Sequence, residues 1–246
     1  MKIDPIAFAI AVNRAVAIEA QSSGIGTLGE KMLHRTLKYY LEPDENNHEI
    51  PYLGSIADIK NEEGIIEIQT RSFNKLIPKL ERFLPEKRVT IVYPIIQNKT
   101  ICRIDTETGE SLSPKKSSKK GKPSDALGEL SMIRRFIPYD NLTILIALLD
   151  ATETRMLNGK ICVGRKKTSK INCVPTSINS FIQLNEPDDY RLLLPSILPD
   201  SFTAQEFERY SGLRTVNSHG ALMLLMELGI LSRVRKGREA YVYSVN

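Results

Sequence analysis

The stretch Gly54-Ser55-Ile56-Ala57-Asp58-Ile59-Lys60, the turn Asn61-Glu62-Glu63-Gly64 and then Ile65-Ile66-Glu67-Ile68-Gln69 decide how this chain is read. Strand side chains alternate between faces, so Ile56, Asp58 and Lys60 share one side of the first segment. Glu67 and Gln69 share one side of the second. Folding back through the turn brings Asp58 within reach of Glu67, while Ala57, Ile59, Ile66 and Ile68 face a core. Two carboxylates on an otherwise apolar hairpin are costly unless a cation joins them. A hard divalent ion held by oxygen ligands meets that need, and magnesium suits two carboxylates plus waters. The competing reading leaves both acids on a solvent face, paired with Lys60 or Arg71.

The segments around the hairpin give the order of elements. Residues 4–20 read as a helix with Ile6, Ile10, Val12, Val16 and Ala17 on one stripe. A second helix starts near Thr27, with Leu28, Met32, Leu33, Leu37 and Leu41 at helical spacing, and Glu30 completes a capping-box pattern with Thr27. Asp44 to Glu49 reads as a polar loop. After the hairpin, Asn74–Phe83 is expected to be helical and Val89–Ile96 a buried strand, with Lys99–Asp105 pairing beside it. Ser111–Lys122 reads as a loop, Asp125–Phe136 as a helix and Leu142–Leu149 as a buried strand.

This order, a helix carboxylate, an Asp strand, a Glu-x-Gln strand and a helix, resembles the PD-(D/E)xK nuclease superfamily in a variant with Gln at the usual Lys position. The resemblance covers roughly residues 25–105. It implies an α/β class, specifically an α+β mixed-sheet, restriction-endonuclease-like core. Asp58 and Glu67 would then be ligands of Mg2+ (or Mn2+), with the Ile68 carbonyl as a further oxygen, and Glu30 would be the helix acid that binds metal directly or through water. Gln69 would take the place of the Lys that positions the attacking water, and being neutral it leaves more of the charge neutralisation to metal. The catalytic set so implied is Glu30, Asp58, Glu67 and Gln69. His34, one turn after Glu30, is a more distant candidate for a metal or phosphate contact.

Two basic runs offer phosphate contacts: Lys115, Lys116, Lys119 and Lys120 in the first, and Arg165, Lys166 and Lys167 in the second. Toward the C-terminus, Thr203 and Glu206 form a capping box, Ser211-Gly212-Leu213 a tight turn, and Val216, Ala221, Leu224, Leu225 and Leu228 the core side of a further helix. Gly229 ends that helix as a C-cap. Leu231–Val234 and Ala240–Val245 then close a hairpin with a basic tip. Helix, turn, helix and basic hairpin resemble the winged-helix family over residues 187–246. That resemblance implies DNA binding, with Arg214, Thr215, Asn217, Ser218 and His219 meeting bases and Arg233, Arg235, Lys236 and Arg238 meeting phosphates.

Length and composition set the outer limits. The chain has 246 residues, which at about 150 per domain fits the division into residues 1–186 and 187–246. With 41% hydrophobic and 26% charged residues it is not a disordered chain. No run approaches the roughly 18 apolar residues of a membrane span. Its three cysteines, Cys102, Cys162 and Cys173, suit neither a disulfide framework nor a zinc knuckle, so a cytoplasmic setting is expected. The net charge of +5 is compatible with an anionic partner. The expectation is a Mg-dependent deoxyribonuclease acting on DNA with no membrane partner. A homodimer is possible, since some such nucleases cut both strands as dimers. The alternatives are a catalytically inactive nuclease-fold DNA-binding or regulatory protein, and an adaptor whose C-terminal module binds protein.

Overall fold

A computed structural model of the chain describes residues 2–21, 28–105, 108–157, 168–236 and 240–246, without the side chains of residues 20, 21, 28–31, 235 and 236. It is of mixed α and β composition with a large mixed sheet. Two compact units emerge, one of residues 1–48, 96–121 and 147–181, the other of residues 49–95, 122–146 and 182–246. These limits differ from the division at 186/187. The strands β4 (Val89–Asp105), β6 (Leu142–Leu157) and β7 (Thr168–Leu184) contribute residues to both.

The second unit is built on the hairpin. β2 (Ser55–Lys60) and β3 (Ile65–Ile68) are antiparallel, with Ile59 opposite Ile66 and Lys60 opposite Ile65. β1 (His48–Tyr52) flanks β2 and takes in His48 and Glu49, the end of the stretch read as a polar loop. After β3 a 3-10 turn (Phe73–Leu76) and α3 (Ile77–Phe83) cross over to β4, which lies parallel to β3 with Glu67 beside Ile91. Ala57, Ile59 and Ile68 are buried and Ile66 is half-buried, so the apolar face assigned to the hairpin packs into a core, while Ile65 and Ile91 beside Glu67 are buried on the opposite face as well. The strand order continues through β6 to β7. α4 (Ala126–Leu130) and a following 3-10 segment, Ser131–Phe136, replace the single helix expected there, with a kink at Ile133.

The C-terminal part of this unit has α5 (Ala204–Ser211) and α6 (Thr215–Glu227) beside a three-stranded sheet of order β8-β10-β9, formed by β8 (Ser201–Thr203), β9 (Leu231–Lys236) and β10 (Tyr241–Val245). Thr203 caps α5 reciprocally: its N–H donates to the Glu206 carboxylate at 2.8 Å and its Oγ1 accepts from Glu206 N–H at 3.3 Å. Phe202, Phe207 and Tyr243 stack between sheet and helix. α6 comes close to α4 because Gly128 has no side chain, and a Cβ there would lie 2.9 Å from Asn217 Nδ2.

The first unit packs α1 (Pro5–Gln21) on α2 (Leu28–Leu41), with Phe8 edge-on to Tyr40 and Tyr40 stacked on Phe181 of β7. The stripe read from the sequence is the exposed side of α1: Ile6 and Ile10 are 74% and 62% exposed, whereas Phe8, Ala11 and Ala15 are buried. α1 is apolar nearly all round, so periodicity alone does not select its core face. Lys99–Asp105 does not pair beside the preceding strand but continues it, since Gln97 and Asn98 form no turn; their amide groups bond Asn179 and Asp150. Ser111–Lys116, expected as loop, is strand β5, antiparallel to β4. It is exposed throughout and carries Pro114, which suits an edge strand and imitates a loop in sequence.

One glycine decides whether the hairpin closes. Gly64 sits at φ 145°, and a Cβ would lie 2.5 Å from the Arg88 carbonyl, to which Ile65 N–H donates at 2.9 Å. Gly64→Ala is therefore expected to lower stability by roughly 2–3 kcal/mol, measured by urea denaturation. An unchanged midpoint would show that this approach is not needed.

Candidate active site

The hairpin register extends from Ile59–Ile66 to bring Asp58 and Glu67 across from each other, and the two acids are linked through the backbone. Asp58 N–H donates to Glu67 Oε1 at 3.4 Å, and Ile68 N–H donates to Asp58 Oδ2 at 2.8 Å. Glu67 is 1% exposed, whereas Asp58 is half-buried. Burial above all, and then the charge of Asp58, push the Glu67 carboxyl up to about 7. The expected meeting of the two acids is thus what the fold builds.

The cation beside them is one the sequence did not signal. Lys79 of α3 reaches Glu67 Oε2 with its Nζ at 2.6 Å. α3 is the crossover between parallel strands β3 and β4, and such a connection must cover one sheet face. Leu76, Leu80 and Phe83 are buried there, and Lys79, three residues after Leu76, stands at the edge of that apolar stripe with 27% exposure. Its position twelve residues after Glu67 has no motif to announce it; only the expectation of a crossover helix could have suggested a search along α3. Lys60, weighed as a partner for the acids, instead lies over the Tyr52 ring at 5.1 Å.

Gln69 is turned to its own chain. Its Nε2 donates to the Arg71 carbonyl at 2.5 Å and to the Ser72 carbonyl at 3.5 Å, bracing the turn in which Ser72 adopts φ 60°. Glu30 is in the first turn of α2 and belongs to the first unit, but its side chain lies outside the described residues; His34 is half-buried on the same helix. Among the described residues no group of three His, Cys, Asp or Glu side chains gathers as a metal site. The donor set is therefore the pair of carboxylates, with the Lys79 ammonium on Glu67. Hard oxygen donors of this kind fit a divalent ion of the magnesium type.

The residues expected to touch DNA divide sharply. On α6, Arg214, Thr215 and His219 are exposed, but Thr215 Oγ1 bonds Glu208 at 2.9 Å. Ser218 is buried at 1%, so it is not presented on the surface as the sequence suggested, and Asn217 is half-buried against Gly128. The reason is that α6 uses this side for α4. Arg233 is exposed with its guanidinium 4.1 Å over the Tyr241 ring. The side chains of Arg235 and Lys236, and Arg238 altogether, lie outside the described residues, as do Arg165, Lys166 and Lys167. Lys115 and Lys116 are exposed on β5, and Lys119 and Lys120 on the segment after it.

The raised Glu67 carboxyl makes a pH prediction. In the unfolded chain it titrates near 4.5 and in the folded chain near 7, so between these the native state holds a proton the unfolded state has lost. Stability supplied by the protonated carboxyl is complete below about 4.5 and is lost as pH rises through 7. Thermal denaturation in EDTA should show Glu67→Gln with a flatter decline than wild type between these pH values. Parallel curves would show that Glu67 ionises as an ordinary surface acid.

Comparison with known proteins places the chain without assigning it a reaction. An uncharacterized protein of Treponema pallidum (strain Nichols) is 27% identical over 168 residues, covering 68% of this chain and 64% of that protein. The aligned part is thus less than two thirds of the relative's own length. No solved structure matches. No helix among the described residues is long and apolar enough to cross a membrane. Residues 15–185, which include both acids and Lys79, match the family model DUF8091, described as a domain of unknown function, and the chain belongs to that family.

Proposed function

We propose that this protein is a metal-dependent DNA endonuclease of the PD-(D/E)xK type, with Asp58 and Glu67 holding Mg2+ or Mn2+ and a winged-helix segment at the C-terminus assisting DNA binding. The observation that carries the reading is the pair of facing carboxylates, one of them buried, with the Lys79 ammonium on the buried one. Burial and the neighbouring Asp58 charge both raise the Glu67 carboxyl in spite of Lys79, and a divalent ion would relieve that cost. The antiparallel hairpin followed by a crossover helix and a parallel strand supports the same reading, because that order positions the acids in the superfamily.

The bound ion would supply a polarised phosphate and a water of lowered pKa. The chain's own residues do the rest. The Ile68 N–H fixes Asp58, and the Asp58 N–H fixes one Glu67 oxygen, so both acids are oriented before any ligand arrives. Lys79 brings the positive charge that Gln69 lacks, and it would face the negative charge that builds up on a pentacovalent phosphate. Arg214, His219 and Arg233 are the exposed C-terminal groups for contact with DNA.

A second reading, a DNA-binding protein that does not cut, is favoured by one observation: Lys79 already neutralises Glu67 while Gln69 is committed to the turn. Plasmid cleavage separates the two. With Mn2+ or Mg2+, wild type should nick or linearise supercoiled DNA, and Asp58→Asn and Glu67→Gln should each lose about 100-fold or more in rate with the fold intact by circular dichroism. Lys79→Ala should lose about 10²–10³-fold, with part of the rate returned by Lys79→Arg. If wild type binds DNA but cuts neither single- nor double-stranded forms with either metal, the non-cutting reading replaces this one.

A further inference from the structure

A second buried carboxylate lies in the first unit, and its surroundings have the opposite charge balance. Glu153 on β6 is 2% exposed and is met by three cations: Lys99 Nζ of β4 at 2.9 Å, Arg155 of β6 at 2.5 Å and Lys170 Nζ of β7 at 3.8 Å. Burial alone would raise its carboxyl, but hydrogen bonds from Lys99 and Arg155 outweigh this and hold it below the usual range. Three positive charges on one negative leave a surplus of two. The cations keep 27%, 35% and 46% of their surface exposed, so the surplus faces solvent while the acid does not.

The surplus extends along the sheet. Alternation on β4 puts Arg103 on the same face as Lys99, with Ile101 between them, and the register pairs Ile101 with Lys115 of β5. The irregularity in this pairing falls on the β5 side, around Ser113 and Pro114, so β4 keeps its alternation. Among the described residues neither Arg103 nor Lys115 makes an ion pair. Asp105, next on that face, accepts from the Thr108 N–H within its own turn at 3.5 Å. Cations on β5, β4, β6 and β7 thus span adjacent strands, about 14 Å at the usual spacing, which covers several phosphates of one strand at about 3.4 Å each.

We infer that this sheet face, with Lys99, Arg103, Lys115, Arg155 and Lys170 arranged around buried Glu153, is a binding surface for a nucleic-acid backbone. Glu153 acts as an internal counter-ion: it fixes three long side chains in place, so their ordering cost is met on folding and not on binding. The contact is to phosphate and carries no base specificity. The choice of nucleic acid among polyanions rests on the DNA-acting reading of the second unit; the cationic surface itself does not.

Binding of fluorescein-labelled single- and double-stranded DNA, followed by anisotropy in EDTA at salt from about 50 to 200 mM, tests this. The double variant Arg103→Ala, Lys115→Ala changes two side chains outside the Glu153 cluster. It should weaken binding and make the log–log salt slope shallower by about 1.8 on duplex, at about 0.9 per phosphate contact. Glu153→Gln removes the internal counter-ion and should tighten binding and steepen the slope, whereas a purely structural ion cluster would show lower thermal stability with affinity unchanged or reduced. A double variant with the wild-type slope overturns the inference, as does a wild type that ignores DNA but binds vesicles of anionic lipid. Manganese-dependent plasmid cleavage measured in parallel keeps the two readings apart. Cleavage with no change of slope removes only the sheet-face proposal, and a changed slope without cleavage removes only the catalytic one.

Discussion

The confrontation of Asp58 with Glu67 across one turn of hairpin is the constraint on which the second unit is arranged. Antiparallel pairing sets the register, alternation puts both acids on one face, and the crossover through α3 then covers that face with helix. The cost of burying Glu67 is reduced by Lys79 but not removed, since burial and Asp58 still hold its carboxyl above the usual range. A fold that needed only stability could replace all three side chains with apolar ones of similar volume at little cost. On the proposed reading, their presence at a junction of strand, strand and helix serves the binding of a cation.

The first unit poses the reverse problem and solves it with the same physics. There one buried acid, Glu153, anchors more positive charge than it neutralises, and the excess is spread over a sheet face. On the proposed reading the two arrangements are complementary, since the acid pair would hold the metal and the cationic face the polyanion.

How much of this was legible in the sequence depended on whether a local rule governed it. β2 and β3 are short, rich in isoleucine and joined by a turn ending in glycine, so the hairpin and the meeting of its acids could be read directly. Thr203 and Glu206 likewise announced the start of α5 through a reciprocal cap. β5 and β7 could not be read in this way. The first is a wholly exposed edge with a proline, and the second carries Pro175 among Ser, Thr and Asn, residues that ordinarily mark loops. On α1 the apolar residues surround the helix, so its inward face was decided by packing of Phe8, Ala11 and Ala15 and not by period. Lys79 was invisible for a different reason. It belongs to the site only because a crossover returns it over β3, a consequence of topology that no spacing encodes. The burial of Ser218 follows from the same kind of tertiary event, the close approach permitted by Gly128.

The claim that Asp58 and Glu67 jointly hold a divalent cation is tested most directly by anomalous diffraction from crystals soaked in manganese. The account predicts one anomalous peak between the two carboxylates in wild type, bonded to an oxygen of each, and none in Asp58→Asn crystals treated alike. A wild-type map with the two acids well ordered, Lys79 still on Glu67 and no manganese beside them would contradict it.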